Sequence, residues 1–338
     1  MSNRFQDIVY QWHQQKDQFD WVLATIIQTK GSSYRKAGAH MMINSLGQAF
    51  GLLSGGCLEA DLKRRARQCW ATGQSQVVCY DMSDETDIAW QLGIGCGGMV
   101  RVLIQPIAQA NQYHNLHLVH EMFTKNQAVC YQLSIDNVSI NRCNELAEQH
   151  TQFDEATQCF TSLIRAKPKL VVFGGGVDTL PLVSLAKTMA WDVTLIDSRS
   201  NYARPSVFKS VDTIINQPYQ SLVKHPALIH CDAIVVMHHN IEHDAHAIAL
   251  AQHSKATYLG LLGPKHRTER VFEQACLQDI HLRCPLTNPI GLDLGGDLPE
   301  TIALSIVSQI QAHLSCTDAN PLGTFAAPML DTEMYDAP

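Results

Sequence analysis

A cysteine closes a glycine run in Gly55-Gly56-Cys57-Leu58-Glu59, where a tight loop is expected to turn into a helix. Backbone N–H groups and the positive end of the helix dipole favour thiolate over thiol at such a place. Lys63, Arg64, Arg65 and Arg67 follow within a few turns and add positive charge. A low-pKa thiolate is both a nucleophile and a soft metal ligand, so Cys57 is a candidate for covalent chemistry or metal binding. Glu59 is near enough in sequence to serve as its acid–base or hydrogen-bond partner, although its charge opposes thiolate formation. The plainer alternative is a buried helix-start cysteine whose glycines only turn corners. Cys96, in Gly95-Cys96-Gly97-Gly98, occupies a second cramped loop that a ligand or another backbone can approach closely. A third polar loop, Gly31-Ser32-Ser33-Tyr34-Arg35, offers Arg35 as a bidentate grip on a phosphate.

A second constellation begins at the apolar run Leu170-Val171-Val172-Phe173, which leads directly into Gly174-Gly175-Gly176. Glycines at a strand-to-helix turn let N–H groups approach a pyrophosphate, and an acidic residue about 20 positions on can reach ribose hydroxyls. Asp197 lies 21 residues after Gly176 and fits that role. Arg199 stands two residues later and blurs the choice between a 2′-hydroxyl and a 2′-phosphate. Thr179 takes the place of the third glycine of the dinucleotide fingerprint, and the turn can equally serve chain geometry alone. His238, His239, His243 and His246 cluster with Glu242 and Asp244 just beyond the apolar strand Ala233 to Met237, at the strand end where open α/β sheets bind ligands. His239 and His243 share a helix face if the helix has begun by His239, which would suit a metal. The rival reading is a solvated helix start with Asp244 placed for the dipole. His114, His117 and His120 form a second helical stripe, read as an exposed face.

The elements that must carry these residues fall into two blocks. In the first, Trp21 to Gln28, Gln76 to Tyr80 and Met99 to Ile104 read as strands, with a hairpin over Ala39 to Leu53 and a helix from about Cys57 to Ala71. The order lacks regular βαβ alternation and predicts an α+β domain over residues 1–135. Residues 136–166 are polar and aperiodic and read as a connector. Residues 167–314 alternate apolar strands with helical stretches, predicting a Rossmann-like, doubly wound parallel sheet within an overall α/β class. Asp297 to Glu300 reads as a capping box opening a helix striped by Ile302, Ile306 and Ile310. Residues 315–338 read as a mobile tail.

The 338 residues carry 25 Lys+Arg against 32 Asp+Glu, a formal net charge of −7, which argues against sequence-independent nucleic-acid binding. An apolar fraction of 46% suffices for a substantial core, so wholesale disorder is excluded. No apolar run approaches the roughly 18 residues a membrane helix needs, and the polar first twenty residues lack the apolar segment of a signal peptide. The eleven cysteines include no CxxC pair, so neither a zinc ribbon nor a thioredoxin-type pair is expected. These features predict a two-domain cytoplasmic protein.

Taken in order, the motifs resemble the XdhC/CoxI family of molybdenum-hydroxylase accessory factors. The N-terminal likeness rests on Gly31 to Arg35, Gly38-Ala39, Gly51 to Glu59 and Cys96-Gly97-Gly98. The C-terminal likeness rests on Phe173 to Gly176, Asp197-Ser198-Arg199, His239 with Asp244, Tyr258 to Gly263, Pro289 to Leu292 and Leu298 to Ala303. The family's usual Thr before the histidine is His238 here, and its common Gly-Ala-Gly-His turn reads Gly174-Gly175-Gly176-Val177. The resemblance implies a chaperone that binds molybdenum cofactor, shelters it while a cysteine desulfurase installs the sulfido ligand, and hands it to apo xanthine dehydrogenase or a related hydroxylase. It implies a homodimer, an accessory role rather than turnover, and cofactor contacts at Arg35, Gly55, Gly56, Cys57, Cys96, Gly97, Gly174, Gly176, Asp197, Arg199, His239, Asp244 and Gly263. In that picture Cys57 ligates molybdenum. Two other functions stay open on the residues alone. One is an NAD(P)-dependent oxidoreductase using His239 as general acid–base; the other is a sulfurtransferase carrying a persulfide on Cys57.

Overall fold

The computed structural model describes residues 3–56, 58–81, 98–137, 141–145, 150–277 and 282–323. The chain divides into two compact units, Met1–Ala166 and Lys167–Pro338.

The first unit is built on an antiparallel sheet of β1 (Trp21–Lys30), β2 (His40–Asn44), β3 (Ala49–Phe50), β4 (Gln76–Asp81) and β5 (Met99–Ile107), ordered β3-β2-β1-β5-β4. Both faces of β1 are covered, which explains its apolar run from Trp21 to Ile27, interrupted by the buried Thr25. Val22, Ala24 and Ile26 face helix α2 (Glu59–Thr72), packing with Leu62, Ala66 and Cys69. Trp21, Leu23 and Ile27 alternate onto the other face, against helix α1 (Phe5–Gln15). The polar N-terminal stretch thus hides an amphipathic helix whose Phe5, Ile8, Val9 and Trp12 recur at i, i+3, i+4 and i+7 and are buried. Each such side chain contributes about 1.5–3 kcal/mol of burial.

Helix α3 (Leu116–Thr124) precedes β6 (Val129–Ser134), which pairs with β7 (Arg142–Glu145) and β9 (Cys159–Ile164); β8 (Gln152–Asp154) completes the order β7-β6-β9-β8. The stretch read as a connector over 136–166 therefore supplies three strands of a sheet belonging to the first unit. Its polar look follows from short edge strands such as β8, where two of three residues are exposed. The stripe expected of His114, His117 and His120 does not form. His114 lies before α3 in left-handed backbone, buried, with Nε2 2.8 Å from the Pro106 carbonyl.

The second unit is a six-stranded parallel sheet of β10 (Lys169–Phe173), β11 (Asp192–Ile196), β12 (Thr213–Ile215), β13 (Ala233–Val236), β14 (Tyr258–Leu261) and β15 (Leu286–Thr287). Its order is β12-β11-β10-β13-β14-β15. Helices α4 (Leu180–Thr188) and α8 (Pro299–Leu314) cover one face. Helices α5 (Pro226–Ile229), α6 (Ile241–Ala251) and α7 (Lys265–Ala275) cover the other. The doubly wound expectation holds, and strand order reverses beside β10, which puts Gly174–Gly176 at the switch point where such sheets bind ligands. The capping box expected at Asp297 is absent. Leu298 is the N-cap without a side-chain hydrogen bond, and Pro299, with no N–H to satisfy, opens the helix instead. Among the described residues no helix is long and apolar enough to cross a membrane.

Candidate functional site

In the first unit three glycine-bearing loops meet beside the start of α2. Gly31, with φ +73°, turns the chain out of β1 into Ser32–Arg35. Gly98 begins β5 so close beneath that turn that a Cβ would lie 2.1 Å from the Ser32 carbonyl oxygen and 2.6 Å from that of Lys30. A Cβ on Gly55 would lie 4.0 Å from the Tyr34 ring, while one on Gly56, at φ +113°, would meet none of the described residues within 4 Å. Glu59 braces this arrangement. Its carboxylate accepts the Ser54 N–H at 3.0 Å and the Ser54 hydroxyl at 2.5 Å. The same hydroxyl oxygen accepts the N–H groups of Gly56 and Leu58 at 3.3 and 3.0 Å. Both carboxylate oxygens are therefore committed to shaping the loop. Cys57, Cys96 and Gly97 lie outside the described residues.

The positive charge expected on α2 is partly spent. Arg64 and Arg65 both pair with Asp61, the latter at 2.6 Å, and the Tyr80 hydroxyl donates to the same carboxylate at 2.7 Å. Burial pushes the Asp61 carboxyl up, but Arg65, Tyr80 and Arg64 together hold it below the usual range. Arg35 has no ion-pair partner among the described residues. Its charge is felt by His40, whose imidazole is driven down to about 3 by burial and then by Arg35. His40 is a neutral ring fixed between Thr25 Oγ1 at 3.0 Å and Ser162 Oγ at 3.3 Å.

In the second unit the glycine turn is shaped by its own chain. Gly174, at φ +116°, leaves a Cβ no room beside the Met237 carbonyl oxygen at 2.6 Å. Gly175 lies against Ala203, whose backbone N would be 2.2 Å from a Cβ and donates to the Gly175 carbonyl at 3.2 Å. Thr179, at the third-glycine position, is buried and donates its hydroxyl to the Gly174 carbonyl at 2.8 Å. Asp197 is fully buried and saturated: it accepts the Gly175 N–H at 2.8 Å and is gripped by the Arg199 fork at 2.9 and 2.7 Å. Burial opposes its charge, yet Arg199 and the Gly175 N–H hold the carboxyl below the usual range. A ribose would have to break this internal set to reach it.

Two histidines at the end of β13 do different things. His238 is buried, its Nδ1 3.0 Å from Asp244 and its Nε2 2.8 Å from the Tyr219 hydroxyl. Arg267 closes the chain by donating to the other Asp244 oxygen. His239 points the other way, exposed, with Nε2 2.7 Å from Asp178 Oδ2. Its backbone is left-handed, φ +59°, which costs a non-glycine residue on the order of 1 kcal/mol. The shared helix face expected of His239 and His243 does not exist, because Asn240 caps α6 and His239 precedes it. Asp244, expected near a helix start for the dipole, is turned inward onto His238 and Arg267. Gly263, at φ +123°, lies beside Arg267. Among the described residues no group of three or more His, Cys, Asp or Glu could hold a metal.

Comparison with known proteins places this architecture. The model of the XdhC and CoxI family matches residues 14–81, and that of the XdhC Rossmann domain matches residues 170–310. A probable xanthine dehydrogenase subunit of Bacillus subtilis (strain 168) is 34% identical over 315 residues, covering 87% of this chain and 93% of the relative. The chain belongs to the XdhC and CoxI family. The molybdenum cofactor insertion chaperone PaoD of Escherichia coli (strain K12) is 21% identical over 296 residues, 86% of this chain and 82% of that protein. A crystal structure of a xanthine dehydrogenase from Bacillus halodurans superposes with TM-score 0.79 at 28% identity, over 97% of this chain and 98% of the other.

Of the family motifs recognised in the sequence, the structure brings together Gly55, Gly56 and Glu59 in the first unit and sets the Gly31–Arg35 loop against them through Tyr34. In the second it brings together Gly174, Gly176, Asp197, Arg199, His239, Asp244 and Gly263 around the carboxyl edge of the sheet. Sequence reasoning missed Ser54, Asp178 and Tyr219. Ser54 carried a local signal, a hydroxyl five residues before a glutamate. Asp178 is 61 residues from His239 and Tyr219 is 19 from His238, distances no local pattern encodes.

Proposed function

We propose that this XdhC-family protein is a molybdenum-cofactor chaperone that binds the cofactor on the loops of its first unit. The observation that carries the reading is the convergence of the Gly31–Arg35, Ser54–Gly56 and Gly98 segments. Arg35 has no ion-pair partner among the described residues, and a Cβ on Gly56 would meet none of them within 4 Å. The donor set suits the cargo: a guanidinium and glycine N–H groups for a pterin phosphate, and a thiol at Cys57 for a soft metal. The PaoD relative, named as an insertion chaperone, supports the same reading. Arg35, Gly55 and Gly56 would hold the phosphate, Glu59 would keep the Ser54 turn in shape, and Cys57 would meet the metal. The cofactor brings the molybdenum–dithiolene centre that the client later uses. A cysteine desulfurase would install the sulfido ligand while the cargo is sheltered, and an apo molybdenum hydroxylase of the xanthine dehydrogenase type would receive it in the cytoplasm from a homodimer of this chain.

The switch-point position of Gly174–Gly176 favours a second reading, in which the second unit binds NAD(P). Against it stand the saturated Asp197, the Ala203 backbone over Gly175 and the Asp178 carboxylate at the helix start, which repels a pyrophosphate. Cys57→Ser, tested separately for pterin binding, nicotinamide binding and sulfur transfer, sorts the readings. Loss of pterin binding alone supports the chaperone. Retained pterin binding with lost sulfur transfer makes Cys57 a persulfide carrier, and nicotinamide binding without pterin binding makes the protein an oxidoreductase.

A further inference from the structure

His239 and Asp178 stand at the mouth of a cavity of about 180 Å³ whose walls are Leu182, Met237, Leu262, Ile302, Ala303 and Ile306. The rest of the lining is apolar apart from this one hydrogen-bonded pair. An apolar cavity of about 150 Å³ accommodates a benzene ring, so this one takes a single ring with a small substituent. His239 uses Nε2 on Asp178, and its Nδ1 has no protein partner among the described residues. With Nε2–H donated to the carboxylate, the Nδ1 lone pair is a base braced by an anion, the arrangement that general acid–base sites use.

The bracing extends inward. The His238 N–H donates to Asp244 at 3.1 Å, and the His238 ring is held between Asp244 and Tyr219. Asn240 Oδ1 accepts the His243 N–H at 3.1 Å just beyond. His239 is thus fixed on both sides in a backbone conformation that other side chains avoid, and such conformations persist where the surroundings enforce them. Asp178 sits at the N-terminal turn preceding α4, where a dinucleotide fold would hold phosphate, so its carboxylate puts a negative charge where that fold would place an anion.

We propose that the carboxyl edge of the parallel sheet is a binding site for a small, uncharged aromatic molecule bearing one acidic O–H or N–H, such as a phenol or azole. The ring fills the cavity and the acidic group faces His239 Nδ1. On binding, the ligand O–H or N–H bond breaks and an Nδ1–H bond forms, leaving an imidazolium between Asp178 and the ligand anion; no redox partner is involved. Asp244 and Arg267 are the other charged groups that act on His239, with opposite signs. The site lies wholly in the second unit and is independent of cofactor binding by the first.

The probe is 4-nitrophenol, whose anion absorbs in the visible, added to the full-length protein at a pH below the probe's own pKa. The site predicts saturable binding with growth of the phenolate band. Ala303→Phe, which fills the cavity, abolishes binding in a protein that still unfolds cooperatively. His239→Gln and Asp178→Asn suppress the phenolate band and weaken binding roughly tenfold or more. Absence of saturable binding to the wild type overturns the proposal, as does binding that Ala303→Phe and His239→Gln leave unchanged. Displacement of the probe by NADH alone, with no phenolate band, also overturns it and assigns the edge to a dinucleotide.

Discussion

Glu59 and Ser54 are locked together by two hydrogen bonds, from the serine N–H and its hydroxyl to the two oxygens of one carboxylate. The pair converts a glycine-rich segment, which on its own would sample many conformations, into one turn at the start of α2. Hydrogen bonds to a charged acceptor contribute about 1.5–3 kcal/mol each when buried, and less at a half-exposed site. Glu59→Ala is expected to cost about 2 kcal/mol and to weaken cofactor binding. Glu59→Gln, which keeps one acceptor and gains one donor, should lose less on both counts. Denaturant midpoints and cofactor titrations on the two variants check this. Equal binding by wild type and Glu59→Ala would remove the brace from the picture.

Gly98 has no room for a side chain because two backbone carbonyls, those of Ser32 and Lys30, occupy the Cβ position. Neither can rotate away as a side chain would. Gly98→Ala should therefore destabilise the protein by about 3 kcal/mol and separate β5 from the Gly31–Arg35 loop. Gly56→Ala offers the contrast: open space but φ +113°, so backbone strain without a clash. Thermal melts of the two variants should rank Gly98→Ala as the more severe.

The Rossmann-like half was legible because a parallel sheet covered on both faces produces continuous apolar runs, as at Leu170–Phe173, that no loop imitates. The short strands of residues 142–164 were not, because β7 and β8 have too few buried residues to alternate visibly. Helix α1 was hidden by composition: Phe5, Ile8, Val9 and Trp12 are correctly spaced but diluted by glutamine and histidine. At the candidate site, Asp197 was found by spacing, whereas its hydrogen bonds with Arg199 and the glycine turn were not. That outcome depends on where one guanidinium folds, which spacing does not state. The pairing of His239 with Asp178 depends on two strands being neighbours and was invisible for the same reason.

Asp244 holds His238 and Arg267 from a fully buried position. Removing one member of a buried pair leaves the other charge uncompensated, at about 3 kcal/mol or more. Asp244→Ala should lower the unfolding free energy by that amount in urea titrations. Tyr219→Phe removes only the outer hydroxyl of the chain and should cost about 1 kcal/mol. A milder effect for Asp244→Ala than for Tyr219→Phe would mean that the network is not anchored on the carboxylate.

His40 sets a pH dependence whose sign is fixed by burial. The unfolded chain binds a proton on this ring near pH 6.5, whereas the folded protein resists it down to about 3. His40's contribution is thus fully present above pH 6.5 and is lost as pH falls from there toward the folded value. Over that window stability falls by about 1.4 kcal/mol per pH unit for this one proton. His40→Gln should be less stable at pH 8 but flatter between pH 6 and 4, measured as denaturant midpoint against pH. Parallel curves for the two proteins would show that His40 is not the group responsible.

Anaerobic equilibrium titration of the full-length protein with molybdenum cofactor, read by pterin fluorescence, tests the chaperone reading most directly. Saturable binding to wild type, weakened at least tenfold in Arg35→Ala and lowered in Cys57→Ser, is the expected result. Absence of saturable binding, or binding indifferent to both substitutions, would contradict a cofactor site on the loops beside α2.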